Sequence, residues 1–359
     1  MNNLTFRVEK EAFSQVNMSE APLAELQAGE VRLKVAQYAF TANNVTYAVL
    51  GSSFKYWAFY PTAAPYGIIP VWGYADVVAS KHEGIQVGER IYGYYPMATY
   101  CTLQPTQVNV LGFTDGAAHR QELAAVYNSY TRITADPMLH QEALQGYVPV
   151  VYPLFVTAFL IYQFMKSQEF MGAEQIVLTS ASSKTALGLA YMLRQHKATD
   201  GKKIIGLTSE GNTGFVQATG YYDDVVHYDN ITAMALAPTV VVDFRGSRNY
   251  LLTLADYFVD KIQHIATVGV TDWEARGGTS DIPKAQLFFA PATLKAFFKA
   301  HGPIEGMQMI NQAVVQFIAD VRKTIELEEV TDVDALTRLY QAMVSGQVNP
   351  KKAYVVKLA

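Results

Sequence analysis

The chain has 359 residues, half of them apolar, with 28 Lys and Arg against 32 Asp and Glu and a single cysteine, Cys101. The net charge of −4, with basic residues never running beyond pairs such as Lys202-Lys203 and Lys351-Lys352, leaves no positive face for a nucleic-acid backbone. One thiol rules out an internal disulfide and a cysteine-rich zinc lobe, and it fits a reducing compartment, the cytoplasm.

Residues 1–16 mix polar and charged side chains and read as neither a signal nor a transit peptide. Val31 to Val35 (VRLKV) alternates apolar and polar residues at period two, the mark of a half-buried strand. Val71 to Ala79 and Glu89 to Tyr95 are β-branched and aromatic runs, with Gly84, Gly88 and Gly93 punctuating the stretch as turns. A small antiparallel β barrel or sandwich is predicted over the first 110 residues. Gly146 to Met165 then runs twenty residues without a charge, long enough to span a bilayer. Pro149, Pro153, three tyrosines, Thr157 and Gln163 argue for a buried inter-domain helix, so no membrane partner is expected.

Beyond residue 150 the pattern changes. Gln175 to Thr179, Lys203 to Thr208, Asp224 to Tyr228, Thr239 to Asp243 and Ile262 to Val270 read as short buried strands. Helical runs at Thr185 to His196, Asn212 to Gly220 and Tyr250 to Val259 separate them, which predicts a doubly wound parallel sheet. Residues 293–345 read as mostly helical, and Ala353 to Leu358 as a closing strand.

The seven histidines lie at least 21 residues apart, so no local metal-binding pair exists, and neither a nucleophile elbow nor a nucleoside-triphosphate loop is present. The acidic clusters Asp223-Asp224 and Glu326, Glu328 and Glu329 read as a turn and a solvated face. The informative loop follows the first αβ-type strand: Ser180 to Ala186 (SASSKTA). In place of the glycines of a dinucleotide fingerprint it offers the hydroxyls of Ser180, Ser182, Ser183 and Thr185, the ammonium of Lys184 and a helix N-terminus. These suit an anion, or equally an ordinary N-cap cluster. The second strand ends in Thr208 and Ser209 where a NAD site would place a carboxylate; neutral hydroxyls favour NADP, while Glu210 just beyond tempers that choice.

In order and spacing these segments resemble the medium-chain dehydrogenase/reductase superfamily, in particular its zinc-independent, quinone-oxidoreductase-like branch. Val31 to Val35 with Thr41 to Tyr47 (TANNVTY) is similar to its first strands and Asn-containing loop. Val87 to Gly93 (VGERIYG) resembles its "kxGDrVyG" turn, Ala98 to Tyr100 its "gayaey" strand, and Pro153 to Ala158 the start of its cofactor domain. Gln175 to Leu189 stands where the branch has "vlvhgasGgvGlaa", with Ser183, Lys184 and Ala186 in glycine positions. Val242 to Gly246 (VDFRG) resembles its "DxxG" strand end, and Gly346 to Pro350 its terminal turn. The Ser180 to Ala186 loop is similar to that of a divergent, uncharacterised family known by a domain-of-unknown-function label.

The resemblance implies a GroES-like β-barrel catalytic domain (1–151 and 290–359) and a Rossmann-like nucleotide-binding domain (152–289). It implies NADP(H) as cofactor, with NAD(H) left open, and hydride transfer to a small enone, quinone or aldehyde. Thr157, Asn212 and Tyr228 take cofactor positions beside the loop residues and Thr208 and Ser209; Asn212 falls where NADP-using relatives carry a lysine. Tyr47 is the implied hydrogen-bond donor to the substrate oxygen, with Asn43 or Asn44 orienting substrate or nicotinamide. Tyr56 to Tyr60, Tyr66 and Trp72 are candidates for an aromatic substrate wall. The zinc-ligand positions of metal-dependent relatives, near Thr41 and Val71 to Gly73, hold no thiol or histidine. A homodimer through residues 262–290 is expected. The loss of the loop glycines supports a second reading, a non-catalytic nucleotide-binding or sensor protein on the same fold.

Overall fold

Val31, Leu33 and Val35 point into a core while Arg32 and Lys34 face outward, so the period-two pattern becomes the strand Val31–Phe40. In this computed structural model, which describes residues 1–268 and 282–358, that strand organises the first of two compact units, Met1–Val150 with Leu327–Ala359. One of its edges pairs antiparallel with Pro70–Ser80, Leu33 opposite Val77 and Val35 opposite Ala75. Its other edge is shared: residues 31–34 pair with Tyr100–Leu103, and residues 38–40 with the closing strand Lys352–Val356. Dividing one edge between two partners curls the sheet, which continues through Arg90–Pro96, Ser129–Arg132, Gly112–Asp115 and Pro105–Thr106. An N-terminal hairpin, Asn2–Glu9 with Val16–Pro22, which the sequence reading did not foresee, adds a small second sheet. This unit stands where the GroES-like domain is expected.

The second unit, Val151–Glu326, is built on a six-stranded parallel sheet. Its strands, numbered in chain order, are β1 (Gln175–Leu178), β2 (Lys203–Thr208), β3 (Asp224–His227), β4 (Thr239–Asp243), β5 (Ile262–Thr267) and β6 (Ala285–Leu287). They lie in the order β3-β2-β1-β4-β5-β6, the doubly wound arrangement whose switch point falls between β1 and β4. Both of these central strands are buried at every position, which is why they read as unbroken apolar runs. The fifth strand was expected to reach Val270; β5 ends at Thr267, and residues 269–281 lie outside the described residues.

The expected return to the first domain at residue 290 comes later, at Leu327. The helices Ala290–His301 and Pro303–Val321 belong to the second unit because aromatic packing holds them there. Phe317 stacks on Phe155 (4.8 Å between centroids) and leans on Tyr191, and Tyr221 Oη donates to Asp320 Oδ2 at 2.7 Å. The uncharged run forms the helix Val148–Ser167. By length and composition it is apolar enough to cross a membrane, yet 61% of its most apolar window is buried within the protein.

Candidate functional site

Two clusters carry the predicted residues, one in each unit. In the second, the chain leaves β1 at Thr179, whose hydroxyl donates to Asp243 Oδ1 across the switch point at 2.6 Å. Thr179 Oγ1 in turn accepts the amides of Phe244 and Arg245, and Asp243 Oδ2 accepts that of Gly246. Burial pushes the Asp243 carboxyl up, and these donors pull it part of the way back. The two loops at the centre of the sheet are thereby clipped together.

Ser180 sits at φ +46°, a left-handed conformation that glycine would take more freely. Its amide donates to Tyr228 Oη at 2.8 Å, so the tyrosine at the end of β3 reaches across β2 to the loop. Ser183 is the N-cap of the helix Lys184–Gln195, its hydroxyl accepting from the Ala186 amide. Lys184 and Thr185 open that helix and are half-buried; desolvation lowers the Lys184 ammonium to about 8. Asn212 Nδ2 donates to Ser182 Oγ at 3.1 Å, tying the helix after β2 to the loop. Thr208 is buried at the end of β2, and Ser209 is the exposed N-cap of the helix Glu210–Ala218. The helix Lys184–Gln195 approaches Val148–Ser167 closely at Gly188, where a Cβ would lie 3.0 Å from Phe155 and 3.2 Å from Ala158. The tight packing expected of the third fingerprint glycine is thus provided two residues after Ala186. Thr157 is half-buried on Val148–Ser167, its hydroxyl donating to Pro153 O.

Arginine 245 was not among the sequence candidates. Its guanidinium lies over the rings of Tyr228, at 4.4 Å, and Tyr250, at 5.1 Å. The only sequence signal was its place in the strand end Val242 to Gly246; Tyr250 had none beyond its helix.

In the first unit the loop after Val31–Phe40 becomes the helix Ala42–Val49. Asn44 is committed to that fold: its Oδ1 accepts from the Thr41 amide and hydroxyl, and its Nδ2 donates to Pro70 O. Asn43, one turn away on the helix, lies beside the Tyr47 hydroxyl together with Trp72 and Tyr127. Tyr47 is buried against Tyr56 (4.6 Å), Tyr94 (5.6 Å) and Tyr127 (6.3 Å). Burial and the neighbouring Tyr56 raise its pKa, while Trp72, Asn43 and Tyr127 pull it partly back, so it is a proton-bearing phenol at any neutral pH. Of the expected aromatic wall, Tyr56, Phe59 and Trp72 join this cluster. Tyr66 instead packs under Arg7, Trp57 fills space beside Gly51 and Gly67, and Tyr60 belongs to a buried network around Arg120. Among the described residues, no three His, Cys, Asp or Glu side chains are grouped to hold a metal ion. Cys101 is buried, and its thiol is pushed up to about 12.

A family described as "Protein of unknown function (DUF2855)" matches residues 38–349. The chain belongs to that family. No curated protein matches this DUF2855 chain. Among solved structures it is similar to the quinone oxidoreductase from Coxiella burnetii, at 12% identity and TM-score 0.58 over 100% of both chains. CurA from Vibrio vulnificus in complex with NADPH matches at 13% identity and TM-score 0.57, over 96% of this chain and 94% of that one. The mycobacterial protein Rv1454c complexed with NADPH matches at 14% and 0.60, over 99% of both. The DUF2855 chain therefore has the fold of the quinone-oxidoreductase-like medium-chain dehydrogenase/reductases, as the sequence resemblance implied.

Proposed function

We propose that this chain is an NADP(H)-dependent, zinc-independent reductase that delivers a hydride to a small enone, quinone or aldehyde. The observation that carries the reading is the serine-capped helix with Lys184 in its first turn, at the carboxyl end of β1 beside the switch point. Residues there fit a dinucleotide. Helix amides, the hydroxyls of Ser182 and Thr185 and the Lys184 ammonium would hold its phosphates, and Tyr228 its ribose side. Bound there, the nicotinamide supplies the hydride. Thr157 already donates its proton to Pro153 O, leaving its lone pairs to accept from a carboxamide. The Tyr47 hydroxyl, held protonated by its surroundings, would donate a hydrogen bond to the substrate oxygen and stabilise the negative charge that grows there, with Asn43 orienting it.

NADPH and NADH titrations, followed by NADPH oxidation across a panel of enones, quinones and aldehydes, test the reading. Binding with turnover of one class supports it. Failure to bind either dinucleotide ends it. Binding without turnover favours the non-catalytic reading, for which the observation is that Ser183 and Lys184 stand in glycine positions and Tyr228 holds the Ser180 amide. We further propose a cytoplasmic homodimer formed along β6, the edge of the sheet among the described residues, where Leu287 at its end and Phe289 just beyond are exposed. A purely monomeric sedimentation profile at micromolar concentration would count against it.

A further inference from the structure

Tyr47, the donor proposed for the substrate oxygen, is sealed: it is 5% exposed, behind Tyr56, Tyr94 and Tyr127. A phenol that hands over its proton needs another before the next turnover, and burial makes the phenolate left in between costly. The proton is best replaced as it leaves, by a neighbour that both gives and takes protons and leads towards water. Of the groups beside the Tyr47 hydroxyl, the Trp72 indole donates but does not accept, and the Asn43 carboxamide does not titrate. Tyr127 is the group that can do both.

Tyr127 Oη lies 3.2 Å from Tyr56 Oη, a contact in which either oxygen can be the donor. Both residues are half-buried, and each follows an exposed stretch of chain, 52–55 before Tyr56 and 124–126 before Tyr127. Tyr56 is the least enclosed of the three tyrosines. Their rings are held in place: Tyr127 packs on Tyr94 (4.7 Å), Phe59 (5.4 Å) and Tyr56 (5.7 Å), and Tyr56 on Tyr47 (4.6 Å). Three hydroxyls therefore run from a sealed donor to a residue that reaches the surface.

We propose that Tyr127 and Tyr56 form a proton relay that replaces the Tyr47 proton from solvent during reduction, acting through Tyr47 and not on the substrate itself. This rests on the reductase reading above. When the substrate takes up a hydride, the electron pair of its C=O bond passes to oxygen, and the O–H bond of Tyr47 breaks to protonate it. The Tyr127 proton moves to Tyr47 Oη and the Tyr56 proton to Tyr127 Oη; a hydronium ion of the solvent protonates Tyr56 and leaves as water. All three phenols are restored.

The test first reads proton exchange without cofactor. In the full chain labelled with carbon-13 at tyrosine Cζ, in equal parts of H2O and D2O, a hydroxyl in fast exchange gives one Cζ line and one in slow exchange gives two. Y47F assigns the Tyr47 signal. One line is expected for Tyr47 in the unaltered chain and two in Y127F. Two lines in the unaltered chain, or one in Y127F, overturn the proposal. Single-turnover oxidation of NADPH by the best acceptor of the panel should then slow roughly tenfold or more in Y127F, with NADPH affinity and the unfolding curve unchanged. An undiminished rate overturns the proposal, as does an accompanying loss of NADPH affinity, which would make Tyr127 a packing residue. If the unaltered chain oxidises NADPH with no acceptor, the reductase reading has failed and the relay with it, whatever the exchange shows. Should Y127F prove unfolded, Y56F measured in the same two ways decides.

Discussion

Among the described residues Arg7, Arg120 and Arg245 lie over tyrosine rings, and the last two do so in different surroundings. Arg120, in the first unit, sits 4.5 Å over Tyr60 and 5.5 Å over Phe59; Arg245, in the second, has nearly the same geometry over Tyr228 and Tyr250. Arg120 is sealed at 1% exposure, with Nε 3.1 Å from the equally buried Asp115 and Nη1 donating to Tyr130 Oη. The hydroxyls of Tyr130 and Tyr60 then both donate to Tyr94 O, behind the wall around Tyr47. Arg245 is half-buried, two residues beyond the end of the central strand β4. Stacking alone therefore says little about role. What differs is burial: the Arg120 guanidinium is sealed beside Asp115, and Arg245 is half-buried beyond the end of β4.

The largest expected effect follows from that closure. Arg120→Met should destabilise the first unit by about 3–5 kcal/mol, because Asp115 is left charged and buried, whereas R245Q should cost about 1 kcal/mol. Denaturant unfolding of both variants checks this, and equal losses would erase the distinction. A second buried group in the same unit, His140, has its Nδ1 2.8 Å from Tyr74 Oη and its pKa lowered by burial to about 4. Its unfolded value lies near 6.5, so between pH 6.5 and 4 the unfolded chain takes up a proton that the native chain refuses. Stability should fall by up to about 3 kcal/mol over that window and level off below it. His140→Gln should flatten this part of the profile; an unaltered slope in the variant would assign it to other groups.

Tyr47→Phe keeps the ring packing and deletes the hydroxyl. Turnover should drop roughly 10²-fold with NADPH affinity unchanged, the signature of a donor that acts on developing charge. Full activity in the variant removes Tyr47 from the chemistry. The smallest effect concerns Lys184, protonated at pH 7 and neutral as pH rises through about 8. Dinucleotide affinity should weaken several-fold between pH 7 and pH 9.5, and K184R, whose charge persists, should abolish the decline. A wild-type affinity indifferent to pH would leave Lys184 outside the phosphate site.

The sequence made the strand at Val31, the alternation of β and α after residue 150 and the loop at Ser180 legible, because each is a local pattern of burial or capping. It did not distinguish Asn43 from Asn44: successive helical residues point about 100° apart, and no pattern reveals which one meets Pro70. The Tyr228, Arg245 and Tyr250 platform was equally hidden, since its members come from two strand ends and a helix and meet only when the sheet order brings β3, β1 and β4 together. The late domain boundary has the same origin. Phe317 looks like any apolar position on a helix, and only its stacking on Phe155 decides which unit claims it.

The clip between Thr179 and Asp243 bears on how tightly the dinucleotide site proposed beside it can hold a ligand. The segment carrying Arg245 is anchored by its own amides before anything binds, so the conformational entropy of ordering it is lost during folding and not on association. A loop anchored in this way keeps that cost out of any binding beside it. Loosening the clip, even with every phosphate-facing side chain intact, would transfer that entropic cost back to binding.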